Sequence, residues 1–107
     1  MVGKWGIYHT VYTENNKSVA STCNVCPQVI FKTDNTANLT DEHGKTFRLK
    51  WHQKSDTLQI ENTINVSQMI LEENNYLIHI KDTTEHYVEI ELIMMNRGEK
   101  KILRKKI

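Results

Sequence analysis

The chain has 107 residues, the length of one ordinary domain, and this excludes a two-domain enzyme. Of these, 37 are Ile, Thr, Val, Tyr, Phe or Trp against only two alanines, which excludes a helical bundle and points to a small all-β domain. A formal net charge of +1, with 38% hydrophobic and 25% charged residues, belongs to a soluble globular chain and gives no global field to draw in nucleic acid or an acidic substrate.

In chain order, Lys4 to Thr13 reads as the first strand, with Trp5, Ile7, His9 and Val11 on its inner parity. Glu14 to Thr22 is polar and reads as a loop. Gln28 to Thr33 follows as the second strand with Val29 and Phe31 inward; Pro27, the only proline, stands just ahead of it, where a missing N–H is tolerated. Thr46 to His52 is the clearest strand: Phe47, Leu49 and Trp51 point one way, Arg48, Lys50 and His52 the other. Asp41-Glu42-His43-Gly44 before it and Lys54-Ser55-Asp56 after it carry turn chemistry, so two hairpins are expected, the second leading into Leu58 and Ile60.

The stretch Ile64 to Glu73 fits neither a helical nor a strand period. Beyond it, Tyr76, Ile78 and Ile80 alternate with Leu77, His79 and Lys81, Asp82 to Glu85 turn the chain, and Val88, Ile90, Leu92 and Met94 alternate with Tyr87, Glu89 and Glu91. Asn96-Arg97-Gly98-Glu99 makes the last turn, into a strand over Lys101 to Lys106. Counting Ile64 to Glu73, which could be a strand or a short helix, that is about eight strands in an antiparallel up-and-down meander, a pattern that closes into a small barrel because closure removes exposed edges.

Charge is distributed unevenly. Arg97, Lys100, Lys101, Arg104, Lys105 and Lys106 crowd the last eleven residues against Glu99 alone. The plain expectation is an edge strand whose lysines discourage edge-to-edge pairing; the sharper one is a phosphate- or lipid-facing patch. No run approaches the roughly 18 apolar residues of a transmembrane helix, so no transmembrane segment is expected.

Cys23-Asn24-Val25-Cys26 is the most distinctive local motif. A redox pair needs its first cysteine at a helix N-terminus, whereas Pro27, Val29 and Phe31 announce a strand. Zinc needs four ligands and there is no second C-x-x-C. A local disulfide, Cys23 to Cys26, and a pair of unreacted thiols remain open. The histidines His9, His43, His52, His79 and His86 are scattered, so no metal site or cofactor is expected. No nucleophile stands beside a base, and G-x-S-x-G, H-E-x-x-H and phosphate-cradling glycine loops are absent; no catalytic residue is expected. Arg48, Lys50 and His52 have no outward aromatic among them, which argues against a nucleic-acid face.

Two ends of the chain carry a family resemblance. Gly3-Lys4-Trp5 resembles the G-x-W signature on the first strand of lipocalins and related calycin barrels, and Ile102-Leu103-Arg104-Lys105 is similar to their last strand. Thr84-Glu85-His86-Tyr87 loosely resembles the lipocalin T-D-x-Y turn. With Cys26-Pro27-Gln28-Val29-Ile30-Phe31 opening the second strand, the layout resembles the small lipocalin-like domains of exported Bacteroidetes proteins. The resemblance implies one lipocalin-like barrel over residues 1–107, on an exported periplasmic or cell-envelope lipoprotein, with Arg104 packed over Trp5 to close the barrel bottom. It implies no settled common activity.

Eight strands of about seven residues give a barrel some 23 Å tall with an interior that side chains fill, and Phe31, Phe47, Trp51, Ile60, Ile78, Ile80, Ile90 and Leu92 are large enough to fill it. The expected function is therefore a non-enzymatic binding or protein-interaction module of unknown partner. Tyr8, His9, Tyr12 and Tyr76 are the candidate ligand-binding residues at the barrel mouth. The alternatives are a carrier of a small hydrophobic ligand in that mouth, and a small enzyme or redox protein using Cys23 and Cys26.

Overall fold

Alternation every second residue is what the chain folds on. The computed structural model describes residues 1–14, 17–22, 26–41, 43–62, 71, 73–96 and 99–106, with the backbone alone at residues 9–14, 17–22 and 62. Nine antiparallel strands make one sheet: β1 Gly3–Glu14, β2 Lys17–Thr22, β3 Gln28–Phe31, β4 Thr36–Thr40, β5 Thr46–Lys54, β6 Thr57–Asn62, β7 Asn74–Thr83, β8 Tyr87–Met94 and β9 Lys100–Lys106. Each pairs with its neighbour in the order β2-β1-β3-β4-β5-β6-β7-β8-β9, and β9 pairs back onto β1, closing a barrel. Among the described residues there is no helix, hence none long and apolar enough to cross a membrane.

The count of eight staves follows from register. One edge of β1 takes β9 along Gly6 to Val11; the other takes β3 along Gly3 to Gly6 and then β2 along His9 to Glu14. Strands β2 and β3 thus follow one another along the same edge and share one stave. The segment Glu14 to Thr22, expected as a loop, is mostly strand, because pairing with β1 supplies what its polar sequence does not advertise. Strand β4 is the missing half of the hairpin that turns at Asp41 to Gly44, where Gly44 takes φ +80°, and Asp41 accepts from the amides of His43 and Lys45. Most of Ile64 to Glu73 lies outside the described residues, apart from a buried Leu71 and an exposed Glu73.

Inward positions form one core: Trp5, Ile7, Val29, Phe31, Ala37, Leu39, Leu49, Trp51, Leu58, Ile60, Leu71, Tyr76, Ile90, Leu92, Met94 and Leu103. Phe47, Ile78 and Val88 pack against it half-buried. Phe31 meets Trp51 edge to face at 5.3 Å between ring centres, a preferred arrangement for aromatic pairs. Ile80 departs from its expected inward place and is 65% exposed. The last β6 pairing is Thr57 with Leu77 and the Ile78 amide still donates to the Asp56 carbonyl at 2.6 Å, so β7 outruns β6 from His79 onward, and a bulge between Ile80 and Asp82 shifts its register on β8.

The first residues close one barrel end. Trp5 Nε1 donates to the Met1 carbonyl at 2.9 Å, the Met1 amine reaches Gln53 across the barrel at 3.0 Å, and the Met1 side chain packs on the core.

Candidate functional site: the outer face of the closing strands

The pleat of β9 sorts the basic tail. Lys101, Leu103 and Lys105 take the inward parity opposite Leu92, Ile90 and Val88, while Arg104 and Lys106 point outward opposite Glu89 and Tyr87. Lys101 is fully buried with its ammonium 3.2 Å from Glu99. Lys105 reaches the Val2 carbonyl at 2.9 Å and stands over the Trp5 ring at 5.7 Å. The basic side chain over Trp5 is therefore Lys105, and the expectation for Arg104 is corrected by one residue, a single step that moves a side chain to the opposite face of the sheet. Strand β9 is no edge either: it pairs with β1 on one side and β8 on the other. Edge protection does not account for its lysines.

Arg104 instead lies on the outer face between two tyrosines. Its guanidinium is 5.2 Å from the Tyr8 ring centre and 4.7 Å from that of Tyr87, and its Nε donates to Glu89 at 2.8 Å. The Glu89 hydrogen bond, foremost, raises the Arg104 pKa above its ordinary value, so the guanidinium is a permanent cation. Glu89 itself is buried, at 8% exposure, which an outward glutamate on a solvated strand would not be. Gly6 makes the stack possible: it faces Arg104 across the β1–β9 pairing, and a Cβ there would come within 2.9 Å of the Tyr8 ring, which lies across it.

Two grooves flank this cluster. One of about 250 Å³ is lined by Lys4, Gly6, Tyr8, Gln28, Arg104, Lys105 and Lys106. The other, about 350 Å³, is lined by Tyr8, His86, Tyr87, Arg104 and Lys106. Tyr8, Arg104 and Lys106 are common to both, so the grooves form one cationic, aromatic-walled depression over β1, β9 and the start of β8. A third groove of about 250 Å³ lies over β4, β5 and β6, between Asp34, Thr36, Lys50, Trp51, His52, Gln59 and Glu61.

The residues expected at a barrel mouth are not brought together. Tyr76 is fully buried in the core, and Tyr8 is on the outer face against Arg104. His9 and Tyr12 are in β1, but their side chains lie outside the described residues. Cys26 is disulfide-bonded, and Cys23 lies outside the described residues. Of the histidines, His79 is 3.3 Å from Glu91, the acid that also takes Lys81 at 3.8 Å. Among the described residues no three His, Cys, Asp or Glu side chains gather as a metal site would need. The site missed by sequence reasoning is the Tyr8–Arg104–Tyr87–Glu89 cluster. Its signal was the alternation itself, which puts Lys4, Gly6 and Tyr8 on one face of β1 and Arg104 and Lys106 on one face of β9.

Compared with protein-family models, curated proteins and solved structures, the chain matches none. The closed antiparallel barrel is lipocalin-like in general shape.

Proposed function

We propose that this chain is a lipocalin-like, non-enzymatic binding module that meets its partner with the outer face over β1, β8 and β9, not with the inside of its barrel. The observation that carries this reading is Arg104, fixed between Tyr8 and Tyr87 at the meeting of two grooves. A long, flexible cation held still before any ligand arrives loses little entropy on binding, which is how rigid aromatic and arginine anchors come to dominate recognition surfaces. The interior supports the same reading, because Tyr76, Phe31, Leu39, Leu58 and Leu92 stand in it with no exposure above 1%. An exported protein is the setting we favour, since a disulfide at Cys26 belongs to an oxidising compartment.

Amide shift mapping of the whole chain against a fluorescent fatty acid and, separately, a set of small charged fragments tests the reading. Fragments are expected to move the amides of Tyr8, Tyr87 and Arg104, and the fatty acid to leave Val29, Leu39, Leu58 and Leu92 unmoved. Saturable shifts at those four core amides would establish the carrier of a hydrophobic ligand in its place.

A further inference from the structure

The Arg104 cradle has a charge pattern that narrows its ligand. Glu89 engages only Nε of Arg104 and neutralises one unit of charge. The two Nη groups make no hydrogen bond to the described residues, and the side chain is 37% exposed where the two grooves meet. Lys4 and Lys106 line the same depression, and neither has an ion-pair partner among the described residues. Like charges gathered on neighbouring strands are unfavourable unless something of opposite sign sits among them. With the guanidinium already balanced by Glu89, the surplus is two lysines, Lys4 and Lys106, more than one carboxylate would satisfy.

From this geometry we propose that the cradle binds a phosphomonoester group. This rests on the outer-face reading above. The exposed Nη pair is a planar fork that matches two oxygens of a tetrahedral dianion, and Lys4 and Lys106 act as point charges on the others. Gly6 is covered by the Tyr8 ring, so the anion meets the guanidinium and the ring edge above the β1–β9 ladder. The body of the ester extends along the larger groove, against the edges of Tyr8 and Tyr87 and beside His86. Among the described residues that line the two grooves there is no carboxylate.

The test is an amide-shift titration of the full chain at pH 7.5 and constant ionic strength with inorganic phosphate, phenyl phosphate and benzoate. Phenyl phosphate is expected to saturate shifts around Gly6, Tyr8 and Arg104, more tightly than inorganic phosphate if the ester body is read and equally if the anion alone is. Benzoate is expected to bind at least about tenfold more weakly. Lys4→Gln and Lys106→Gln, both surface changes that leave the core intact, are expected to weaken phosphate binding several-fold each and to flatten its dependence on salt. Arg104→Lys, which keeps the charge and removes the fork, is expected to lose about tenfold. Lys50→Gln, on the far groove, leaves binding unchanged. No saturable shift, benzoate equal to phenyl phosphate, or a loss in Lys50→Gln matching that in Lys4→Gln overturns the proposal. These outcomes are separate from failure of the outer-face reading, which shows as movement of core amides with the fatty acid.

Discussion

A single residue step decides what a strand side chain does, and Arg104 shows it. Resemblance placed Arg104 over Trp5, yet Trp5 shares its face with Leu103 and Lys105, and the guanidinium goes outward to Tyr8, Tyr87 and Glu89. Glu89 is the residue to change first. Its pair with Arg104 falls between a charge-assisted hydrogen bond of about 1.5 to 3 kcal/mol and an exposed ion pair of up to about 1 kcal/mol. Glu89→Gln is therefore expected to cost about 1 to 2 kcal/mol in urea unfolding with an unchanged slope; a loss under about 0.3 kcal/mol would show that the pair does not hold the arginine. Asp34 gives a pH handle of a different kind. The Thr36 hydroxyl donates to it at 2.6 Å and the Thr36 amide at 3.1 Å, and these bonds, the hydroxyl's first, hold its carboxyl below the ordinary value. A carboxyl with a lowered folded pKa adds stability that is complete above the unfolded value, near 4, and that disappears as pH falls through the folded one. Asp34→Asn is expected to unfold at a lower denaturant midpoint than the parent at pH 6, with the gap narrowing as the pH is brought down through the acid range; a gap that does not change with pH would remove the linkage.

The elements legible in the sequence are those whose alternation is both apolar and bounded by turn chemistry. Strand β5 is the clearest, with Leu49 and Trp51 buried and Arg48, Lys50 and His52 exposed. Strands β2 and β4 escaped notice for opposite reasons. Lys-Ser-Val-Ala-Ser-Thr is polar on both parities and is recruited by pairing along β1, whereas β4 buries only Ala37 and Leu39 among threonines and asparagine. Two inward side chains are too few to register as a period. The cluster at Tyr8 escaped for a related reason: each of its members alternates as a solvated residue should, and only the closure of β9 on β1 makes neighbours of residues nearly a hundred positions apart. At the level of turns, the two-residue link between β5 and β6 holds Ser55 at φ +57°, in the left-handed region where a side chain costs about 1 kcal/mol. Ser55→Gly is expected to raise the unfolding free energy by about 0.5 to 1 kcal/mol. Thermal unfolding reads this as an increase in midpoint of a few degrees, and a decrease would mean that the strain is taken up elsewhere.

At the scale of the whole molecule, what matters is that the sheet has no end between β9 and β1. A count of about eight strands points to a barrel, and the described sheet has eight staves because β2 and β3 share one and β4, whose period is too short to read in the sequence, supplies another. Closure also changes the meaning of the basic last strand, which is an interior member of the ladder and not a guarded edge. Local stability follows from the same topology, because an amide paired on a closed ring opens only when its neighbours on both sides open. Amides of Val29, Leu39, Leu58, Leu92 and Leu103 are therefore expected to exchange with solvent together, at rates set by global unfolding, and so are those of Gly6 to Thr10 that bond to β9. The exception is the end of β7. From His79 the chain runs beyond β6, pairs with β8 alone among the described residues and exposes Ile80, with Lys81 next to it as a charge that makes an open edge unattractive to a second sheet. Amides of Ile80 to Thr83 on the side away from β8 are expected to exchange orders of magnitude faster than those of Tyr76 or Leu92, with no dependence on denaturant at low concentration, the mark of local fraying. Equal and high protection along the whole of β7 would mean that another segment covers this edge in solution, and slow exchange in β7 with fast exchange at Gly6 to Thr10 would place the opening of the barrel at the β1–β9 pairing instead.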